Sequence, residues 1–84
     1  MLDYYITFRS ITRAQRGSAL FDDAGISNQL LRTPKAIATQ GCGYALRVHQ
    51  QVIYKAVQLL QQNEIAYQHV YRSAEYGQME EYQI

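Results

Sequence analysis

The chain has 84 residues, 48% apolar and 18% charged, with a formal net charge of +1, one cysteine and eight tyrosines. That length holds one domain of two packed layers, near the lower size at which a hydrophobic core suffices without staples. The composition excludes a disordered chain, the lone cysteine excludes an internal disulfide, and no apolar run approaches the roughly 20 residues of a membrane-spanning helix. Met1-Leu2-Asp3-Tyr4 lacks the basic and apolar blocks of a signal peptide, so a cytoplasmic, reducing location is expected.

The small net charge conceals an asymmetry. Residues 1–72 carry all eight Lys and Arg against four acids, whereas residues 73–84 carry only Glu75, Glu80 and Glu81. The sequence therefore divides into a basic domain over residues 1–72 and a polar, acidic C-terminal tail over 73–84. Six of the eight cations are arginines, the side chain suited to bidentate contact with carboxylates and oxyanions.

In chain order, Tyr4 to Arg9 alternates Tyr4, Ile6, Phe8 with Tyr5, Thr7, Arg9, the period of a strand. Ser10 offers an N-cap oxygen, and Ile11, Ala14, Gly17 or Ser18, Leu20 or Phe21 and Ala24 recur at helical spacing until Gly25 supplies a stop. Ser27 to Arg32 reads as a second strand. Thr33-Pro34 ends it, with Thr33 able to cap and Pro34 to open one helical turn through Ile37. Lys35 to Gly43 is the longest irregular stretch, and long loops in small domains are often functional.

Tyr44, Leu46 and Val48 alternate with Ala45, Arg47 and His49 as a third strand. Val52, Ile53, Ala56, Val57, Leu59 and Leu60 form the apolar stripe of a second helix closing near Asn63. Tyr67 to Arg72 reads as the last strand. The expected class is α+β: a ferredoxin-like βαββαβ sandwich, with two helices on one face of a four-stranded antiparallel sheet.

In that topology the first and third strands are central neighbours. Cys42 then comes close to Arg9, Ser10 and the first turn of the first helix, where free N–H groups and the dipole favour an anion. Arg32 reaches the same edge, and Lys35 and Arg47 are further candidate cations. Gly41 and Gly43 flank the thiol without shielding it and allow positive φ. Since the thiolate is the reactive form, such a corner favours thiol chemistry. The competing reading makes Cys42 a small apolar core residue.

Other chemistries have less support. One cysteine and two histidines with no carboxylate at ligand spacing do not make a zinc cage, so no metal is expected. His49 lies seven residues from Cys42 with opposite parity, which rules against a Cys-His dyad along an extended strand. With no paired carboxylates and no phosphate-binding glycine motif, independent enzymatic turnover is not expected, and no cofactor is implied. The other sheet face should present Tyr5, Thr7, Arg9, Ala45, Arg47 and His49, joined by Tyr67, His69 and Tyr71. Tyr5, Tyr67 and Tyr71 are its candidate interface residues, since tyrosine tolerates both burial and water. Nucleic acid is not expected there, because Tyr44 to His49 lacks the basic-glycine-aromatic signature of RNA-recognition strands.

Thr33-Pro34-Lys35-Ala36-Ile37, followed by Gly41-Cys42-Gly43-Tyr44-Ala45-Leu46-Arg47, resembles the small selenium/sulfur carrier protein-like family. Phe8-Arg9-Ser10 with Ala14, Ala24-Gly25-Ile26 and Asn63-Glu64-Ile65 extend the likeness over roughly residues 4–72. The resemblance implies that Cys42 holds a persulfide or selenopersulfide, received from a desulfurase-type donor protein and relayed to an acceptor protein. The alternative is a non-catalytic module that self-associates or binds a partner through its tyrosine-rich sheet. Neither reading calls for a membrane.

Overall fold

The computed structural model describes residues 3–35, 43–73 and 79–82. Its elements are β1 (Asp3–Phe8), α1 (Ile11–Asp23), β2 (Asn28–Arg32), β3 (Tyr44–His49), a 3₁₀ turn (Gln50–Val52), α2 (Ile53–Gln62), β4 (Val70–Ser73) and β5 (Met79–Glu81). They form an α+β fold whose single antiparallel sheet has the order β2-β3-β1-β4-β5. No described helix is long and apolar enough to cross a membrane.

The sheet corrects the expected four strands to five. The fifth comes from the polar acidic stretch after residue 72, where Met79-Glu80-Glu81 pairs with Ser73, Arg72 and Tyr71. Three residues with two adjacent glutamates show no apolar alternation, so the sequence carries no strand signal there. β1 and β3 are central neighbours as expected, in a register running from Asp3 opposite His49 to Phe8 opposite Tyr44.

Both helices pack on one face. Tyr4, Ile6 and Phe8 from β1 meet Leu46, Val48 and Val70, Ala14 and Phe21 of α1, and Ile53, Ala56, Val57 and Leu60 of α2 in one buried cluster. Gly17 lets α1 sit close against this layer. An added Cβ there would stand 3.0 Å from Leu46 Cδ1 and 3.2 Å from Leu60 Cδ2, too near for a side chain without repacking.

Both helices end in the same motif. Gly25 (φ +75°) donates its N–H to Asp22 O, and Ile26 returns its N–H to Phe21 O at 2.8 Å, the paired bonds of a Schellman cap. At the end of α2, Glu64 (φ +55°) and Ile65 repeat these bonds onto Gln61 O and Leu60 O. In each case the following isoleucine is buried and fixes where the chain turns back.

The last long strand is shorter than Tyr67 to Arg72. Thr7 takes two residues opposite it: Gln68 N–H donates to Thr7 O at 2.7 Å, and His69 N–H is diverted to Thr7 Oγ1 at 3.1 Å. This extra residue is a bulge, and it reverses side-chain alternation upstream of it. Val70 consequently enters the main core, Tyr71 the opposite face, and Tyr67 packs back against the helix-side core.

The expected open face is partly closed. Thr7 and Ala45 are fully buried and Tyr5 is 9% exposed. Tyr5 and Ala45 form a second, small cluster with Leu31, Tyr71 and Met79, and this last side chain is supplied by β5.

Candidate functional site

The site is assembled where β1 and β2 run out. Phe8 and Arg32 both pair with Tyr44, the first residue of β3. One step earlier in the chain, the Gly43 carbonyl accepts the Thr33 N–H at 3.2 Å, so the β2–β3 ladder extends to Gly43. Gly43 is exposed, with nothing within 4 Å of where a Cβ would stand. It is the residue that follows Cys42 in the chain. Cys42 and Gly41 lie outside the described residues.

Around Gly43 three chain ends meet. Arg9 is exposed directly after β1. Ser10 caps α1 in extended conformation (φ −129°, ψ 152°), with its Oγ accepting the Arg13 N–H at 3.2 Å. The remaining first-turn N–H groups of a helix have no intrahelical partner, and they aim outward with the positive end of its dipole. The first turn of α1 contains no acidic residue. Arg32 is exposed, its guanidinium carbon 5.7 Å from the centroid of the Tyr44 ring, which holds the charge beside the start of β3.

Of the sequence-predicted residues, Arg9, Ser10, Arg32 and Gly43 gather at this end of the sheet. Lys35 is exposed in the turn after Pro34. Arg47 stands elsewhere: it pairs with Tyr5 and Gln29, roughly 13 Å along the strand from Gly43. There it lines a shallow cleft with Asp3, Asn28 and His49. Among the candidate interface residues, Tyr5 is buried and Tyr71 half-buried on one face. Tyr67 belongs to the other, its hydroxyl accepting from Gln61 Nε2 at 3.4 Å.

Two features escape the sequence. Thr33 is 9% exposed, and its buried Oγ1 has no hydrogen-bond partner among the described residues. The expected turn from Pro34 through Ile37 that Thr33 would cap runs outside the described residues. Secondly, Arg13 joins Arg9 in a cleft of about 330 Å³ completed by Ala66, Tyr67, Gln68 and His69. Arg9 precedes the Ser10 cap, so helical spacing does not pair it with Arg13, and the bulge that brings Gln68 and His69 there leaves no sequence signal.

Among the described residues no group of three His, Cys, Asp or Glu could hold a metal ion. The arrangement brings the end of β1 with Arg9, the N-terminus of α1 and the exposed Arg32 to the sheet end at which the Gly43 backbone is anchored.

No curated protein and no solved structure matches the chain significantly. The family described as "Putative Se/S carrier protein-like" matches residues 3–72, from the first residue of β1 into β4, and the chain belongs to that family.

Proposed function

We propose that this protein is a sulfur or selenium carrier that holds a persulfide or selenopersulfide on Cys42 and relays it between partner proteins. Family membership over residues 3–72 is the observation that carries the reading. The surroundings of Gly43 support it, since Arg9, Arg32 and the first turn of α1 favour negative charge beside the loop.

The chemistry is thiol exchange. The Cys42 thiolate attacks the terminal sulfur of a donor persulfide, a new S–S bond forms as the donor's breaks, and the donor cysteine leaves as a thiolate. An acceptor thiolate then attacks the terminal sulfur on Cys42 in the same way, and Cys42 leaves. Neither step changes the overall oxidation state, and neither needs a general base on the carrier when its thiol is already ionised. The same scheme accepts selenium in place of the terminal sulfur. The Thr33 hydroxyl, which has no partner among the described residues, is a candidate donor to the charged chalcogen.

The succession β2-β3-β1-β4 fits a ferredoxin-like body over residues 1–72, to which β5 is added from residues 73–84. A cytoplasmic setting suits a carrier thiol that must remain reduced between transfers. In the competing reading, Tyr5, Tyr67 and Tyr71 form an interaction surface and Cys42 is incidental.

The test is loading. Incubation with a cysteine desulfurase and free cysteine should add the mass of one sulfur atom to the peptide containing Cys42, removable by dithiothreitol. Cys42→Ser should abolish the gain while leaving the thermal midpoint unchanged within error. Loading that persists in Cys42→Ser would refute the proposal.

A further inference from the structure

The outer edge of β4 is filled by the chain's own residues 79–82, which lie beyond the family-matched span. Each contact of this segment is made to the body. Glu80 meets Arg72 Nη2 at 2.7 Å, Glu81 meets His69 Nδ1 at 3.2 Å, and the Tyr82 N–H donates to Val70 O at 2.7 Å. The Tyr82 ring stands edge-on to Tyr4 at 5.2 Å, lies 5.5 Å from the Arg72 guanidinium carbon, and places its hydroxyl 2.7 Å from that of Tyr54 on α2.

We infer that the edge of β4, with its Tyr4–Tyr54–Arg72 socket, is a strand-accepting surface through which two copies of this chain exchange residues 79–82. β5 is only three residues long, and its Arg72–Glu80 ion pair and His69–Glu81 contact are solvent-exposed. Exposed pairs contribute little individually, and a short edge strand is among the first parts of a fold to open. Opening uncovers the row of N–H and C=O groups on β4, which pairs readily with another extended segment.

A second copy is the occupant that fits. The surface asks for one carboxylate opposite Arg72, another opposite His69 and a phenol reaching Tyr54, and Glu80-Glu81-Tyr82 of another copy meets each. Reciprocal exchange fills both edges and closes as a two-fold dimer. Because the tethered segment competes at an effective concentration on the order of millimolar, exchange in the unaltered chain grows in as the protein concentration approaches that value.

A charge cross tests this in the full-length chain. Arg72→Glu and Glu80→Arg each place like charges across one pair, both within a chain and in exchange with an identical copy. Mixed in equal amounts, the two variants restore both pairs only by exchanging segments with each other. Light scattering should then show a dimer at a concentration roughly tenfold below that at which either variant dimerises alone. The chain carrying both substitutions, with the pair restored internally, should stay monomeric at that concentration. A mixture that keeps the monomer mass up to millimolar concentration overturns the inference, as does a dimer formed equally well by each variant alone. Should amide dispersion show that either single variant is unfolded, the same cross is made at the second pair by mixing His69→Glu with the chain carrying both His69→Lys and Glu81→Lys.

Discussion

Two regions of the sheet use charge in different ways. At the β4–β5 edge, carboxylates find partners: Glu80 pairs with the Arg72 guanidinium and Glu81 meets the His69 ring nitrogen, under a tyrosine that bridges to α2. At the end where β1 and β2 meet Gly43, Arg9, Arg32 and Lys35 are all exposed, and Arg32 lies over an aromatic ring. The first arrangement fastens a strand. The second sets exposed cations at the sheet end that leads into the segment carrying Cys42. Charge in the first region is structural, and in the second the proposed function gives it a part in thiol chemistry.

Substitutions can separate these roles. Reversing two of these exposed charges with Arg9→Glu and Arg32→Glu should slow Cys42 alkylation at neutral pH about tenfold, which equals a rise of about one unit in thiol pKa. The β5 contacts and the thermal midpoint should change little. An unaltered alkylation rate would break the comparison, because it would make these cations electrostatically irrelevant to the thiol.

Tyr82→Ala should act in the reverse sense. Losing a half-buried ring packed on Tyr4 and Arg72 should cost about 1–3 kcal/mol of stability while leaving alkylation unchanged. Alkali offers a milder version. The hydrogen bond to Tyr54 raises the Tyr82 phenol above its usual value of 10.0, so the folded state holds this proton more tightly than the unfolded one. The contribution is complete below pH about 10 and is lost as pH rises through the raised value. Amide exchange at residues 79–82 should therefore accelerate on that limb beyond its intrinsic pH dependence, with no matching change at Phe8 or Leu46.

The smallest expected effect falls outside both ends. Glu64 adopts at the α2 terminus the left-handed conformation that Gly25 supplies for α1. Glu64→Gly should raise stability by about 0.5–1 kcal/mol in denaturant unfolding, and thiol reactivity should be unaffected.

Much of this was legible in the sequence, for reasons tied to particular residues. The alternation in Tyr4 to Phe8 and Tyr44 to His49 marks the central β1–β3 pair. Ser10 and Gly25 bracket α1, because one supplies a cap oxygen and the other tolerates positive φ. The bulge at Gln68–His69 was not legible, since it depends on the Thr7 hydroxyl capturing an N–H from 62 residues away. That single contact decides the face on which Tyr67 lies. β5 was hidden too, because Glu80 and Glu81 resemble a solvated tail until Arg72 and His69 stand opposite them. The expected topology puts Arg9, Ser10 and Arg32 at one end of the sheet, as the strand pairing also does, whereas strand length carries Arg47 away from them.

The pH dependence of Cys42 alkylation in the folded protein tests the central claim most directly. Fast labelling with a pKa well below the free-thiol value of about 8.5 is the predicted result. Slow labelling that appears only when the protein unfolds would make Cys42 a buried structural residue and contradict the carrier assignment.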